Sequence, residues 1–299
     1  MFDLADLRFL VSLAGASSLA GAARGLNVSP PAVSQRLAQI EARLHLRLVD
    51  RGRGPLRLTA EGAHLVARAR EILAELETLS DEMTARAGRI EGPLNVIAPF
   101  GYGRLHVAPV LMRFAAEHPA LRCDLRLSED PLGAMRTGLW DVLVHVGRLP
   151  DLGIIQRVLA PNRRFLVAAP GYLDRHGRPE QPEEIAAHRV GVIREDRADA
   201  SLWRLTRSDG RETRLRLRPA FACNDGEVLR IWALEGHGVI ERSEWSVAPD
   251  LQAGRLIRLL PDWALPDADV VALLNPRAVR ATRIDAFLDR LARDCGPGA

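Results

Sequence analysis

The sequence predicts three successive parts: an N-terminal all-α winged helix-turn-helix over residues 1–58, a long linker helix over 59–89, and a two-lobed α/β domain over 90–299. Three observations carry this. In the first stretch apolar residues recur at helical spacing between residues that cap helices. The second stretch holds a heptad repeat. From Leu94 onward short apolar strands alternate with helical patterns, twice over.

Leu4, Leu7, Leu10, Val11 and Ala14 define an amphipathic helix that Gly15 ends. Ser17 and Ser18 offer caps for a second helix, Leu19 to Leu26. After Asn27-Val28, Ser29 caps a third helix with Pro30 and Pro31 in its first turn, where a missing N–H costs nothing. Val33, Leu37, Ile40 and Leu44 form its inner face; Ser34, Gln35, Arg36 and Gln39 form the outer one. Two helices joined by a short turn, the second presenting polar side chains, make a helix-turn-helix. Leu48-Val49 and Leu56-Arg57-Leu58 read as the strands of a hairpin wing whose turn, Asp50 to Pro55, holds Arg51 and Arg53. Thr59 then caps the long helix. Leu65, Ala69, Ile72, Leu76, Leu79 and Met83 step by alternate fours and threes until Gly88 and Gly92-Pro93 stop it. This stripe suits a dimer coiled coil; a single amphipathic helix lying on its own domain is the alternative.

The α/β part begins with a strand Leu94 to Ala98 and a helix running to Glu117. Strands follow at 121–127, 141–146 and 165–169. The second half has strands near 189–193 and 213–223, a helix 226–235, a strand near 238–241, a helix from Ser243, strands near 255–259 and 269–274, and a helix 280–293. The pattern predicts a mostly parallel sheet with covered faces, and two halves leave a cleft where a ligand can sit.

Charge points the same way. Residues 1–58 hold eight Arg against four acidic residues, whereas the linker stretch is net negative. A positive excess at the N-terminus is where phosphate neutralisation would need it. All 41 basic residues are Arg. The first residues lack a signal-peptide pattern and no apolar run is long enough to span a membrane, so a cytoplasmic protein without membrane partners is expected. Cys123, Cys223 and Cys295 are far apart, which favours reduced thiols over a disulfide framework or a metal site. No nucleophile elbow, Walker loop or metal-spaced His/Cys cluster is present, so neither catalysis nor a cofactor is expected. A purely architectural DNA binder is the other alternative; it would gain if the cleft were filled by its own side chains.

The stretch A-A-R-G-L-N-V-S-P-P-A-V-S-Q-R-L-A-Q-I-E-A-R-L (Ala22 to Leu44), with L-V-D-R-G and R-L-T-A-E-G (Arg57 to Gly62), resembles the LysR-type transcriptional regulators. Further along, the stretch around Ala98, P-N-R-R at Pro161, P-G-Y-L at Pro170 and N-D-G-E-V at Asn224 resemble one subgroup of the same family. The resemblance implies a DNA-binding transcription regulator whose C-terminal part is a periplasmic-binding-protein type II-like effector-binding domain. It implies a homodimer or homotetramer on pseudo-palindromic promoter DNA, a small-molecule effector, and RNA polymerase among the partners. Four positions depart from the family pattern: Pro30 in place of Gln, Val49 of Phe, Ala20 of Ser or Thr, and His145 of Arg.

The resemblance places Pro30, Pro31, Ser34 and Gln35 on DNA, with Arg36 nearer the backbone. Gln35 has the paired amide groups that read adenine. Arg53 on the wing can enter the minor groove or bind phosphate. Arg51 has that reading and a second, a pair with Asp50 or Glu41. Thr59 either donates to a phosphate or caps its helix. For the effector, Pro99-Phe100-Gly101-Tyr102 opens onto a helix whose N-terminal amides attract an anion, typically a carboxylate, with Tyr102 adding a hydroxyl. His145, beside Arg148, reads equally as a ligand partner or a core group. Asn224-Asp225 caps a helix, and the resemblance sets that helix start at the cleft.

Overall fold

A computed structural model describes residues 3–16, 18–50, 56–86, 89–135, 140–149, 153–194, 200–276 and 281–295. It divides into two compact units, Met1–Ala87 and Gly88–Ala299.

In the first unit Asp3 caps α1 (Leu4–Ala14) by accepting the Asp6 N–H at 2.7 Å, and Ser18 caps α2 (Leu19–Leu26). Asn27 closes α2 in the left-handed conformation at φ 54°, the tight connection expected between the two helices. Ser29 caps α3 (Pro30–Leu44). Strands β1 (Val49–Asp50) and β2 (Arg57–Leu58) pair antiparallel as the base of the wing, and α4 (Ala60–Arg86) follows. The core is Phe9, Leu10, Leu13, Val33, Leu37, Ile40, Leu48 and Val66. Each such side chain contributes roughly 1.5–3 kcal/mol by burial. Buried Glu41 accepts the Leu48 N–H at 2.8 Å and ties the wing to α3. A Cβ on Gly62 would overlap the Leu48 carbonyl, so glycine there lets α4 pass under the wing. Ser17, Arg51 and Arg53 lie outside the described residues.

The second unit holds two five-stranded sheets. The first lobe contains β3 (Gly92–Pro99), β4 (Leu121–Ser128), β5 (Val142–Val146), β6 (Gln156–Ala160) and β15 (Val270–Leu274), in the order β4-β3-β5-β15-β6. Its helices are α5 (Phe100–Tyr102), which runs through a π turn (Gly103–Val107) into α6 (Ala108–Glu117), then α7 (Pro131–Ala134) and α11 (Thr282–Cys295). The second lobe contains β7 (Arg164–Ala168), β8 (Val190–Ile193), β11 (Phe221–Cys223), β12 (Val239–Ser243) and β13 (Ile257–Leu259), in the order β11-β8-β12-β7-β13. Around it stand α8 (Pro170–His176), α9 (Gly226–Leu234) and α10 (Glu244–Gln252). A small third sheet joins β9 (Leu202–Arg207) to β10 (Glu212–Arg216) and β14 (Trp263–Ala264).

The expected mostly parallel sheet is corrected. Among the described residues the two main sheets have four parallel ladders and four antiparallel ones. The chain crosses to the second lobe at residues 161–163 and returns at 265–269, and β15 then enters the first sheet antiparallel to both neighbours. Several elements escaped the sequence pattern, among them β6, whose edge position leaves Val158 exposed, the short helices α7 and α8, and strands β9 and β14. The single run expected at 213–223 is two strands, β10 and β11, separated around Pro219.

Candidate functional site

Two sites are built from these elements. In the first unit Pro30, Pro31, Ser34 and Gln35 are all exposed along one stripe of α3, while Val33 and Leu37 on the other side are buried against the core. Arg36 departs from the expectation of a DNA contact: it donates to Asp6 at 3.3 Å and lies 5.0 Å over the Phe9 ring. Arg43 donates to the other Asp6 oxygen at 2.6 Å. Burial alone would push the Asp6 carboxyl up, but the hydrogen bonds from Arg43 and Arg36 outweigh it and hold the group below its ordinary value. Thr59 resolves in favour of capping. Its hydroxyl donates to the Arg47 carbonyl at 2.7 Å and accepts the Gly62 N–H at 3.0 Å, which leaves no proton for a phosphate.

The linker stripe also divides. Leu65 is half-buried and Ala69 fully buried, both within their own unit. Ile72, Leu76, Leu79 and Met83 are exposed at 42%, 37%, 57% and 57%. An apolar groove between α1 and α4, walled by Leu4, Leu7, Leu65, Ala69 and Ile72, continues the stripe.

In the second unit a cavity of about 70 Å³ lies between the lobes. Pro99, Gly101 and Tyr102 form its first-lobe wall, as the sequence suggested; Phe100 opens the helix beside it without lining it. The opposite wall comes from β12 and the start of α10, which deliver Glu241, Arg242, Ser243 and Trp245. Arg242 is 6% exposed. Its Nη2 donates to Glu227 Oε1 at 3.0 Å and Ser246 Oγ at 3.1 Å, and Ser246 donates to the same Glu227 oxygen at 2.6 Å. The guanidinium lies 5.7 Å from the Trp245 ring centre. Arg242 Nε and Trp245 Nε1 are buried without a hydrogen-bond partner among the described residues. Leaving a buried donor unmet costs about 1–3 kcal/mol, more for a charged group, and both donors belong to residues that line this one cavity. Asn162 ties the two crossing segments together: its side-chain Nδ2 donates to Ser243 Oγ and the Ala268 carbonyl, and its backbone carbonyl accepts the Ala268 N–H.

The remaining expected residues sit elsewhere. The Tyr102 ring stacks on His106 at 4.6 Å and meets Trp245 edge-on at 5.3 Å, but its hydroxyl is buried beside the Cys295 thiol, and burial pushes its pKa well up. His145 is buried on β5, and strand alternation turns it to the face opposite Val146, which lines the cavity. Burial lowers its pKa, partly countered by the Arg148 backbone, so it reads as a core group. The Arg148 side chain is exposed and does not line the cavity. Asn224 and Asp225 bridge the lobes instead of lining the cleft: Asn224 bonds Glu129, and Asp225, the α9 cap, pairs with Arg104. Arg242, Trp245 and Glu227 were missed. The available signal was Glu241-Arg242-Ser243, a polar run closing the apolar strand that starts Val239-Ile240. Among the described residues no His, Cys, Asp and Glu cluster could hold a metal, and no helix is long and apolar enough to cross a membrane.

Known proteins share this arrangement along the whole chain. Residues 87–296 match the LysR substrate binding domain, and residues 4–63 match the bacterial regulatory helix-turn-helix protein, lysR family. The HTH-type transcriptional activator TtdR of Escherichia coli K12 is 30% identical over 292 residues, covering 97% of this chain and 93% of TtdR. The HTH-type transcriptional regulator CrgA of Neisseria meningitidis serogroup B is 29% identical, over 97% of this chain and 96% of CrgA. The structure of CrgA, a LysR-type transcriptional regulator from Neisseria meningitidis, superposes with a TM-score of 0.62 at 28% identity, over 99% of this chain and 100% of that one.

Proposed function

The chain belongs to the LysR family of DNA-binding transcriptional regulators, and from that premise we propose how its two sites work. The α3 stripe Pro30, Pro31, Ser34 and Gln35 reads the major groove, and Arg51 and Arg53 on the wing hold the flanking backbone. Arg36 and Thr59 support this face from behind. The exposed apolar residues Ile72, Leu76, Leu79 and Met83 pair with a second copy, so that two heads meet a pseudo-palindrome in the cytoplasm. Two such dimers would form the tetramer, and contact with RNA polymerase would follow at the promoter. Gln35→Ala is expected to cost roughly 1–3 kcal/mol on the cognate site alone; equal loss on random DNA overturns base reading.

The effector is a small anion held in the inter-lobe cavity. The observation that carries this is the pair of unmet buried donors, Arg242 Nε and Trp245 Nε1, on two residues that line the same cavity as Pro99, Gly101 and Tyr102. A cavity of about 70 Å³ is large enough for ordered water and suits a short carboxylate. A larger ligand needs the lobes to part, and it would shift the lobe equilibrium only through unequal affinity for the two states. The test is the melting temperature of the full chain with formate, acetate, glycolate and malonate, each against its neutral amide. A ligand at about 100 times its Kd adds roughly 2.7 kcal/mol; the carboxylate should do so, the amide should not, and Arg242→Gln should abolish the gain. The small cavity also favours a second reading, in which Trp245 and Arg242 plug the cleft and the domain acts by assembly alone. A shift from none of the carboxylates supports that reading.

A further inference from the structure

The β9–β10 hairpin contributes no residue to the wall of the inter-lobe cavity. Residues 202–218 hold six Arg against two acidic residues. Strand alternation sends Trp203, Leu205, Leu215 and Leu217 into the core of the second lobe, and turns Arg204, Arg214, Arg216 and Arg218 to solvent. Arg204 stands directly opposite Arg214 in the ladder. Like charges in that position cost stability. Pairing continues past β10 through the Leu217 N–H, which donates to the Ser201 carbonyl, and so extends the row to Arg218.

Several exposed guanidiniums elsewhere in this unit are matched by carboxylates: Arg113 by Asp294, Arg157 by Asp289 and Arg163 by Glu244. Arg204, Arg214 and Arg218 make no ion pair among the described residues. We infer that this face is a second DNA contact, which grips the phosphate backbone without reading sequence. Successive outward residues of a strand are roughly 6.8 Å apart and neighbouring strands about 4.8 Å. The guanidiniums therefore form a short regular row, and each can meet a phosphate through its fork of donors. A protein partner would need an apolar or aromatic anchor at the centre of its footprint. None of the exposed large hydrophobic side chains among the described residues belongs to this hairpin. Backbone binding needs no such anchor, and DNA is the polyanion this protein already holds.

The experiment compares the full chain with the triple variant Arg204→Gln, Arg214→Gln, Arg218→Gln on a random-sequence duplex long enough to engage the whole protein. The binding constant is measured across a salt series. Each lost phosphate contact removes about 0.9 from the slope of log K against log salt, so the variant should be shallower by about 2.7 for each protomer that engages the duplex. The corresponding triple Lys variant keeps the charges and should keep the slope. The Gln variant should melt no lower than the parent, because the Arg204–Arg214 repulsion is gone. An unchanged slope overturns the inference. So does an equal loss from Arg122→Gln with Arg126→Gln, exposed on β4, since that would report net charge alone. An unchanged DNA slope with lost retention on polyglutamate would place an acidic protein on this face instead of DNA.

Discussion

Gly226→Ala tests whether Arg242 is placed by the packing around it. Gly226 is not among the glycines with positive φ, so alanine suits its backbone and the first turn of α9 would gain slightly from it. The obstacle is Arg242. A Cβ at 226 would meet Nη1, Cζ and Nη2 well inside 3.0 Å, and the guanidinium must leave. It is 6% exposed, and the room open to it is the inter-lobe cavity of about 70 Å³ that it lines. Moving it breaks its bonds to Glu227 and Ser246, at 3.0 and 3.1 Å. Charge-assisted bonds are worth about 1.5–3 kcal/mol each, but Ser246 goes on donating to Glu227 and offsets part of the loss. Adding residual overpacking gives a total near 3 kcal/mol. For a unit of this size that lowers Tm by about 6–12 °C. Calorimetry of the full chain reads the shift. Arg242→Ala removes the obstacle, so Gly226→Ala added to it should cost little, and the two substitutions should couple by at least about 2 kcal/mol. A Gly226→Ala protein that melts within about 1 °C of the parent, or costs that simply add, refutes the packing argument.

Three more expectations follow from the same contacts. Asp6→Asn should destabilise the first unit by about 1–2 kcal/mol, a value discounted because Arg36 and Arg43 are 40% and 48% exposed. The Asp6 carboxyl is held below its ordinary value of 3.8, so its contribution is complete above that pH and fades as pH falls through the folded value; urea melts between about pH 5 and 2.5 should show this for the parent and not for the variant. His145 is kept neutral by burial below its ordinary 6.5, so the second unit should lose stability as pH drops from about 6.5, and His145→Gln should flatten that dependence in thermal melts from pH 7.5 to 5. Leu79→Asp, at a residue 57% exposed, should convert the assembly to smaller species in sedimentation while leaving the melting of each unit unchanged; an unaltered sedimentation profile would remove the α4 stripe from the interface.

The N-terminal unit was legible because its signals are local. Ser18 and Ser29 cap the helices they precede, Pro30 and Pro31 occupy a first turn, and the apolar spacing of Val33, Leu37 and Ile40 matches the buried face. Period and capping act within a few residues, so sequence alone shows them. The α/β alternation was legible for the same reason, down to the helix start after Pro99 that forms one wall of the cleft.

What sequence could not show is which charged group meets which. Arg36 looked free for DNA until α1 brought Asp6 to it across 30 positions of chain. His145 read equally as a ligand partner or a core group until the parity of β5 set it opposite Val146, which lines the cavity. Arg242 drew no attention, because its partners Glu227 and Ser246 lie on other elements and its room comes from Gly226, 16 positions earlier. The sequence by itself determined most of the elements, their caps, the exposed polar stripe of α3 and the heptad stripe, since each depends on neighbours along the chain. The tertiary structure alone decided which guanidiniums are buried, which are paired and which stay unpaired on the β9–β10 face, because desolvation and charge pairing depend on distance in space, which residue spacing does not carry.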